Sequence, residues 1–137
     1  MDELLFIETI RVEDGTFVRP ELHLQRMRQT VREAYGVASG FDLADGSIPL
    51  QHRKGTVKCR IVYGRSLSEI SFAPYVPREI RSLRLVAADD ELDYHLKYAD
   101  RSALARLLQR RDDCDEILIV RDGAITDTSY SNVAFFD

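Results

Sequence analysis

The sequence predicts an α+β fold: a small N-terminal lobe of mainly antiparallel sheet with one packed helix, followed by the start of a second, α/β lobe. Residues 4–18 have the pattern of a β-hairpin, because branched and aromatic residues flank an Asp-Gly pair. Residues 20–35 have the apolar periodicity of an amphipathic helix. Three strand-like segments follow within residues 56–88, and helix and strand signals alternate after residue 89.

The first elements are the hairpin and the helix. The chain is predicted to turn back at Asp14 and Gly15, the residue pair that two-residue hairpin turns prefer. The helix is predicted to begin at Pro20, whose ring suits a first helical turn, and to end before Gly36. Its apolar face consists of Leu24, Met27, Val31 and Ala34. Residues 40–55 are polar without clear periodicity, which indicates a loop or a short irregular helix.

The remaining strands of the first lobe are predicted at 56–63, 69–75 and 82–88. Alternate side chains of a strand share a face. In the strand at 56–63, one face carries Lys58, Arg60 and Val62, and the other carries Cys59, Ile61 and Tyr63. Two cations therefore share one face of the predicted sheet.

The boundary between the lobes is predicted at an acidic run that begins at Asp89, because adjacent like charges favour a solvated connection. We divide the chain into a small lobe at 1–88, a linker at 89–93 and the beginning of a larger lobe at 94–137. In the larger lobe, Asp100 is predicted to cap a short helix. Strands are predicted around 116–120, 124–125 and 132–136. No turn or helix signal follows the last of them, so we expect this lobe to be incomplete.

Composition indicates a globular protein. The 137 residues are 45% apolar and 31% charged, and no run approaches the roughly 20 apolar residues of a membrane span. The amino terminus begins with acidic residues where a secretory signal has basic ones. We therefore expect a cytoplasmic protein without a membrane partner.

Charge and residue usage argue against several other classes. The net charge of −4 is unfavourable for a nucleic-acid partner. The three histidines, His23, His52 and His95, are not at metal-ligand spacings, so no metal is expected. Cys59 and Cys114 belong to no Cys-x-x-Cys pair and are expected to be reduced.

Lys97 and Asp127 are candidates for a reactive amine and for a carboxylate that works together with it. Lys97 is one of three lysines in a chain with sixteen arginines. An amine that can lose its proton condenses with an aldehyde, whereas arginine remains charged. A carboxylate such as Asp127 can keep a heteroaromatic nitrogen protonated. These are the two groups that an enzyme using pyridoxal phosphate must supply. From composition alone, a surface lysine and an acid in a turn remain the alternative.

Four segments, in this order, resemble the class IV aminotransferases, the fold-type IV pyridoxal-phosphate enzymes. This family includes branched-chain aminotransferase, D-amino acid aminotransferase and aminodeoxychorismate lyase. The segments are residues 7–11, 23–27, 97–101 and 115–135. The last, at fixed spacing over some twenty residues, is the most specific.

The resemblance implies site residues. Lys97 would form the internal aldimine with pyridoxal 5'-phosphate and move the proton between the substrate's α-carbon and the cofactor. Arg26 would hold the cofactor phosphate with its planar fork, although its position also suits a solvated helix residue. Ser131 and Asn132 would lie near the cofactor and act through turn geometry.

Asp127 marks the main departure from the family pattern. The family usually has glutamate facing the pyridine nitrogen, so the shorter side chain reaches less far; a turn-capping role is the alternative. Lys58 or Arg60 would bind a substrate carboxylate, unless both simply flank an exposed face. The sequence also stops before the loop and helix that complete the family's phosphate cradle; if the polypeptide ends at Asp137, weak cofactor retention and little or no turnover are expected.

The resemblance implies two enzymatic functions and a homodimer. The enzyme would be an aminotransferase acting on a small amino acid, or a lyase that expels pyruvate from 4-amino-4-deoxychorismate. Arg101, four places after the lysine, slightly favours the lyase. Two alternatives are a non-catalytic homologue that serves binding or dimerisation, and an unrelated small α+β binding domain.

Overall fold

The computed structural model describes residues 4–89, 92 and 98–136. Their contacts form two compact units. Among the described residues, the first unit contains 4–76 and 98–99, and the second contains 77–89, 92 and 100–136. The predicted fold class is confirmed: an antiparallel sheet with a packed helix is followed by the start of an α/β lobe. The lobe boundaries at 1–88, 89–93 and 94–137 stay a prediction.

The first unit contains a four-stranded antiparallel sheet in the order β2-β1-β3-β4. Its strands are β1 (Phe6–Glu13), β2 (Thr16–Phe17), β3 (Thr56–Tyr63) and β4 (Leu67–Pro74). The predicted hairpin is confirmed, since β1 and β2 pair antiparallel. Its turn residues Asp14 and Gly15 have φ angles of 48° and 81°. Positive φ at both positions is what a type I′ turn requires, which explains the Asp-Gly pair.

Helix α1 (Pro20–Tyr35) packs on one face of this sheet, and Gly36 ends it in the left-handed conformation. The core between them is apolar: Phe6, Ile10, Val12, Phe17, Leu24, Met27, Val31, Phe41, Ile48, Val57, Cys59, Ile61 and Tyr63. As predicted from strand parity, Cys59, Ile61 and Tyr63 point into the core, whereas Lys58 is exposed and Arg60 half-buried. The polar segment at 40–55 forms two short 3₁₀ turns, Asp45–Ser47 and Leu50–His52.

The second unit contains a three-stranded sheet in the order β5-β6-β7, made of β5 (Leu83–Ala87), β6 (Glu116–Arg121) and β7 (Ala124–Ile125). Here the sequence-based expectation was wrong about β5, which was assigned to the antiparallel sheet of the first lobe. It pairs parallel with β6. The reason is the connection: α2 (Ser102–Leu108) lies between β5 and β6, and a helical crossover permits parallel pairing.

Two further expectations concern the ends of elements in the second unit. The prediction that Asp100 caps α2 is off by one residue: the N-cap is Arg101, which makes no side-chain capping bond. Asp100 lies just before it, and its Oδ1 accepts a hydrogen bond of 3.0 Å from the amide of Ser102, the first helical residue. A strand predicted at 132–136 is not formed. Within the described residues, this segment has one isolated bridge, from Asn132 to Asp127, and no partner strand extends the ladder. No helix of the described residues could span a bilayer.

A strained helix start gives a stability prediction. Arg19, the residue before α1, has φ 51° and ψ 52°, a left-handed conformation that costs a non-glycine residue about 1 kcal/mol and that a following proline disfavours further. We expect Arg19→Gly to raise the free energy of unfolding by up to about 1 kcal/mol. Urea unfolding measures it. The matched change Arg32→Gly, inside α1, should lower stability by about 1 kcal/mol, and equal signs for the two variants would contradict the explanation.

Candidate functional site

Arg26 belongs to a partly buried charge cluster in the first unit. Its Nε lies 3.1 Å from both carboxylate oxygens of Glu8, and its Nη2 also donates to Glu8 Oε1. His23 Nδ1 lies 2.6 Å from the same Oε1. We call these three residues the Glu8 cluster. The Glu8 side chain is 0% exposed, while that of Arg26 remains 47% exposed. The cluster therefore joins a fully buried anion to a half-exposed cation.

The local fold brings these residues together. Glu8 lies on the core face of β1, between Phe6 and Ile10, where alternation predicts an apolar residue. His23 and Arg26 are three positions apart on α1 and so share a helix face above the sheet. Burial alone would raise the pKa of the Glu8 carboxyl, but hydrogen bonds and charges from His23 and Arg26 outweigh it and lower that pKa. Glu8 is thus held as a carboxylate.

The lowered pKa of Glu8 predicts acid sensitivity. Because protonation is harder in the folded state, Glu8 stabilises the fold fully above its ordinary pKa of 4.5, and this contribution is lost as the pH falls through the lower folded value. We expect stability to fall more steeply in the wild type than in Glu8→Gln as the pH drops below 4.5, as unfolding at a series of pH values would measure. Parallel curves for the two proteins would contradict this.

Lys58 and Arg60, the predicted substrate-binding residues, lie on the opposite face of the sheet from α1. Lys58 is paired directly with Arg11 of β1, and Arg60 with Thr9. Like charges placed opposite each other destabilise a sheet. Arg11 is partly neutralised by Glu13, whose Oε2 lies 3.0 Å from its Nη2. This face can receive a carboxylate, but the structure does not bring it together with Arg26, which is on the core side.

Asp127, Ser131 and Asn132, the other predicted cofactor residues, lie together in one turn of the second unit. Asp127 and Asn132 form a β-bridge across its base. Inside it, the Thr128 amide donates to the Ser131 carbonyl at 2.9 Å, and the two hydroxyls lie 2.7 Å apart. The Asp127 carbonyl accepts from the Ile119 amide at 2.8 Å, which ties the turn to β6. The turn therefore has a fixed backbone with polar side chains.

Glu116, which the sequence did not indicate as functional, is hydrogen-bonded to this turn through its carboxylate. Its side chain is 0% exposed. Its Oε1 accepts from the amides of Ile117 at 3.0 Å and Ser129 at 3.3 Å, and its Oε2 lies 3.3 Å from Arg78 Nη1. Arg101 donates to the Ser129 carbonyl at 3.0 Å, so both peptide groups around Ser129 have side-chain partners. The turn is anchored by a buried carboxylate and an arginine.

Lys97, the predicted catalytic residue, lies outside the described residues, as do Tyr94 and His95. Directly after it, Tyr98 forms a bridge to Phe6, with ring centroids 5.2 Å apart, and belongs to the first unit. The Ala99 amide donates to the Leu5 carbonyl at 2.8 Å. Within the ranges that the structure describes, no cluster of three or more His, Cys, Asp or Glu side chains could hold a metal ion.

Comparisons with known proteins identify relatives of similar fold. No protein-family model matches the chain. An uncharacterized protein of Haemophilus influenzae is 35% identical over 133 residues, which are 93% of this chain and 69% of that protein. A crystal structure of a proposed 4-amino-4-deoxychorismate lyase from Haemophilus somnus is 31% identical, with a TM-score of 0.77, over 94% of this chain and 69% of that one.

A more distant structure contains a cofactor. It is the pyridoxal-phosphate-bound form of a hypothetical aminotransferase from Mycobacterium tuberculosis, 19% identical with a TM-score of 0.59. The match covers 91% of this chain and 55% of that one. At this identity the likeness concerns the fold.

Proposed function

Because the chain belongs to the fold-type IV pyridoxal-phosphate enzymes, the class IV aminotransferase family, we propose that it serves a lyase reaction on 4-amino-4-deoxychorismate. The observation that carries this proposal is the 31% identity and TM-score of 0.77 to the Haemophilus somnus protein described as such a lyase. The chain spans 69% of that protein's length. A second candidate is amino transfer, the other reaction that the resemblance to the family implies.

Each unit by itself contains residues whose chemistry suits a part of pyridoxal phosphate. Arg26 is a half-exposed cation, and none of the described residues accepts a hydrogen bond from its Nη1, so this nitrogen can donate to a phosphate oxygen. The turn at 127–132 contains a carboxylate and hydroxyls, and its backbone is fixed by the bridge between Asp127 and Asn132. When bound, the cofactor supplies an aldehyde and an electron-withdrawing ring.

The proposal assigns a role to each predicted site residue. Lys97 supplies the amine that holds the cofactor, and moves the proton at the substrate's α-carbon. Asp127 keeps the ring nitrogen protonated, while Ser131 and Asn132 shape the backbone beside it. Lys58 or Arg60 binds a substrate carboxylate. In the lyase reaction, the bond between the ring carbon and the ether oxygen breaks, pyruvate leaves, and the remaining ring becomes aromatic.

Two measurements test the proposal. The purified chain with pyridoxal phosphate should absorb near the boundary between violet and visible light, and borohydride should remove this band. Pyruvate released from 4-amino-4-deoxychorismate would support the lyase, whereas amino transfer that depends on a 2-oxo acid would support the second candidate. A colourless protein that ignores added cofactor would reject both and favour the non-catalytic homologue.

A homodimer is part of the proposal. In the family a second subunit closes the site, and β4, an edge strand of the first sheet, exposes the apolar side chains of Leu67 (46%) and Ile70 (38%). Contact with a second copy would cover such an edge. Sedimentation at micromolar concentration tests this, and a monomer there would count against it.

A further inference from the structure

We propose that Glu8 is a positioning residue for the phosphate: it fixes the Arg26 guanidinium so that its remaining donors meet the anion in one orientation. The inference rests on the proposed function, in which Arg26 holds the cofactor phosphate. Sequence comparison with the family pointed to Arg26 alone. The structure adds the buried carboxylate that holds it.

The geometry divides the guanidinium into two edges. Glu8 accepts from Nε and from one N–H of Nη2, which together form the side edge of the fork. The second N–H of Nη2 and one N–H of Nη1 form the end edge, the other N–H of Nη1 points toward the Cδ side, and no described residue accepts from Nη1. Two parallel N–H groups match two oxygens of a phosphate.

Burial indicates which edge meets the anion. Glu8 is 0% exposed, so the edge that it occupies lies inside the unit, while 47% of the Arg26 side chain remains exposed. Glu8 itself cannot easily move, because it lies within the β1 ladder and is held a second time by His23 at 2.6 Å. An arginine fixed in this way loses little further rotamer freedom when it binds an anion.

A competing role for Glu8 makes the opposite prediction. If the carboxylate only neutralised Arg26, its removal would leave more positive charge and tighten phosphate binding. If it positions Arg26, removal should weaken that binding. The phosphate contribution can be isolated by comparing pyridoxal phosphate with pyridoxal, which has the same aldehyde and ring but no phosphate.

The experiment measures dissociation constants of both compounds, from absorbance titrations, for the wild type, Glu8→Gln and Glu8→Asp. In the wild type, pyridoxal phosphate should bind more tightly than pyridoxal. This advantage should shrink about tenfold in Glu8→Gln, the size expected for one weakened charge-assisted contact, while pyridoxal affinity stays unchanged. Glu8→Asp keeps the charge but shortens the reach, and should lose the advantage as well. Glu21→Gln, an exposed acid on α1, is the matched control.

A double-variant comparison confirms that Glu8 acts through Arg26. Arg26→Lys keeps a cation but loses the fork, and Glu8→Gln should have little additional effect on phosphate affinity in that background. An unchanged or larger phosphate advantage in both folded Glu8 variants would overturn the inference while leaving the proposed function intact. A wild type that binds neither compound would reject the proposed function, and the inference with it. Near-ultraviolet circular dichroism shows whether each variant is folded.

Discussion

Lys97→Ala is expected to remove covalent cofactor attachment and to lower turnover by at least about 10²- to 10⁴-fold, the range attributed to one positioned proton-transfer group. The reason is chemical: alanine has no amine to hold the aldehyde or to move the α-proton. The measurement is the borohydride-sensitive absorbance band together with pyruvate release. Mass spectrometry of the borohydride-reduced wild type should locate the added mass on Lys97.

Lys97→Arg is the matched control. Arginine keeps the positive charge on a side chain of similar length, but its guanidinium stays protonated at every working pH and cannot condense with an aldehyde. We expect the arginine variant to be as inactive as the alanine variant. Activity retained in either one would mean that another residue, such as Lys58, supplies the amine, and would refute the assignment.

Glu116→Ala is expected to have the largest effect on stability among these changes, a loss of about 2–4 kcal/mol. It would leave the amides of Ile117 and Ser129 without their buried acceptor and Arg78 without its partner. The thermal midpoint should fall by roughly 10 °C or more. Calorimetry or circular dichroism would measure it.

The control for Glu116 is another acid of the second unit. Glu79 pairs with Arg81, but both side chains are more than 70% exposed, and such surface pairs contribute little. Glu79→Ala should therefore change the free energy of unfolding by no more than about 0.5 kcal/mol. Equal losses in the two variants would show that burial of Glu116 is not the cause.

Local signals account for the parts of the fold that the sequence predicted well. The turn at Asp14 and Gly15 and the helix between Pro20 and Gly36 depend on residues within one or two turns of one another. Strand β5 pairs instead with β6, which lies some thirty residues away in the sequence. No local sequence pattern specifies so distant a partner. The missing strand at 132–136 has the same origin, since a strand-like sequence still needs a neighbour to pair with.

The candidate site likewise contains residues that the sequence predicted and residues that it did not. The resemblance to the family indicated Arg26 and the turn from Asp127 to Asn132, and the structure shows that the three predicted turn residues lie together. Glu8 and Glu116 were missed because charge was read as exposure. A signal was present: each acid lies beside strongly apolar residues in a strand, where burial of a carboxylate requires partners. An acid in such a position therefore indicates that hydrogen bonds and ion pairs hold its carboxylate in the interior.

The buried position of Cys59 has a practical consequence for chemical labelling. Its side chain is 0% exposed, and burial raises the pKa of this thiol to about 11. Cys114, the other reduced cysteine, is half-buried and more accessible. Since the thiolate is the nucleophile, a maleimide dye at neutral pH should react with Cys114 well before Cys59. Cys114, in the second unit, is thus the preferred attachment point for a fluorophore on this chain, without any engineered cysteine.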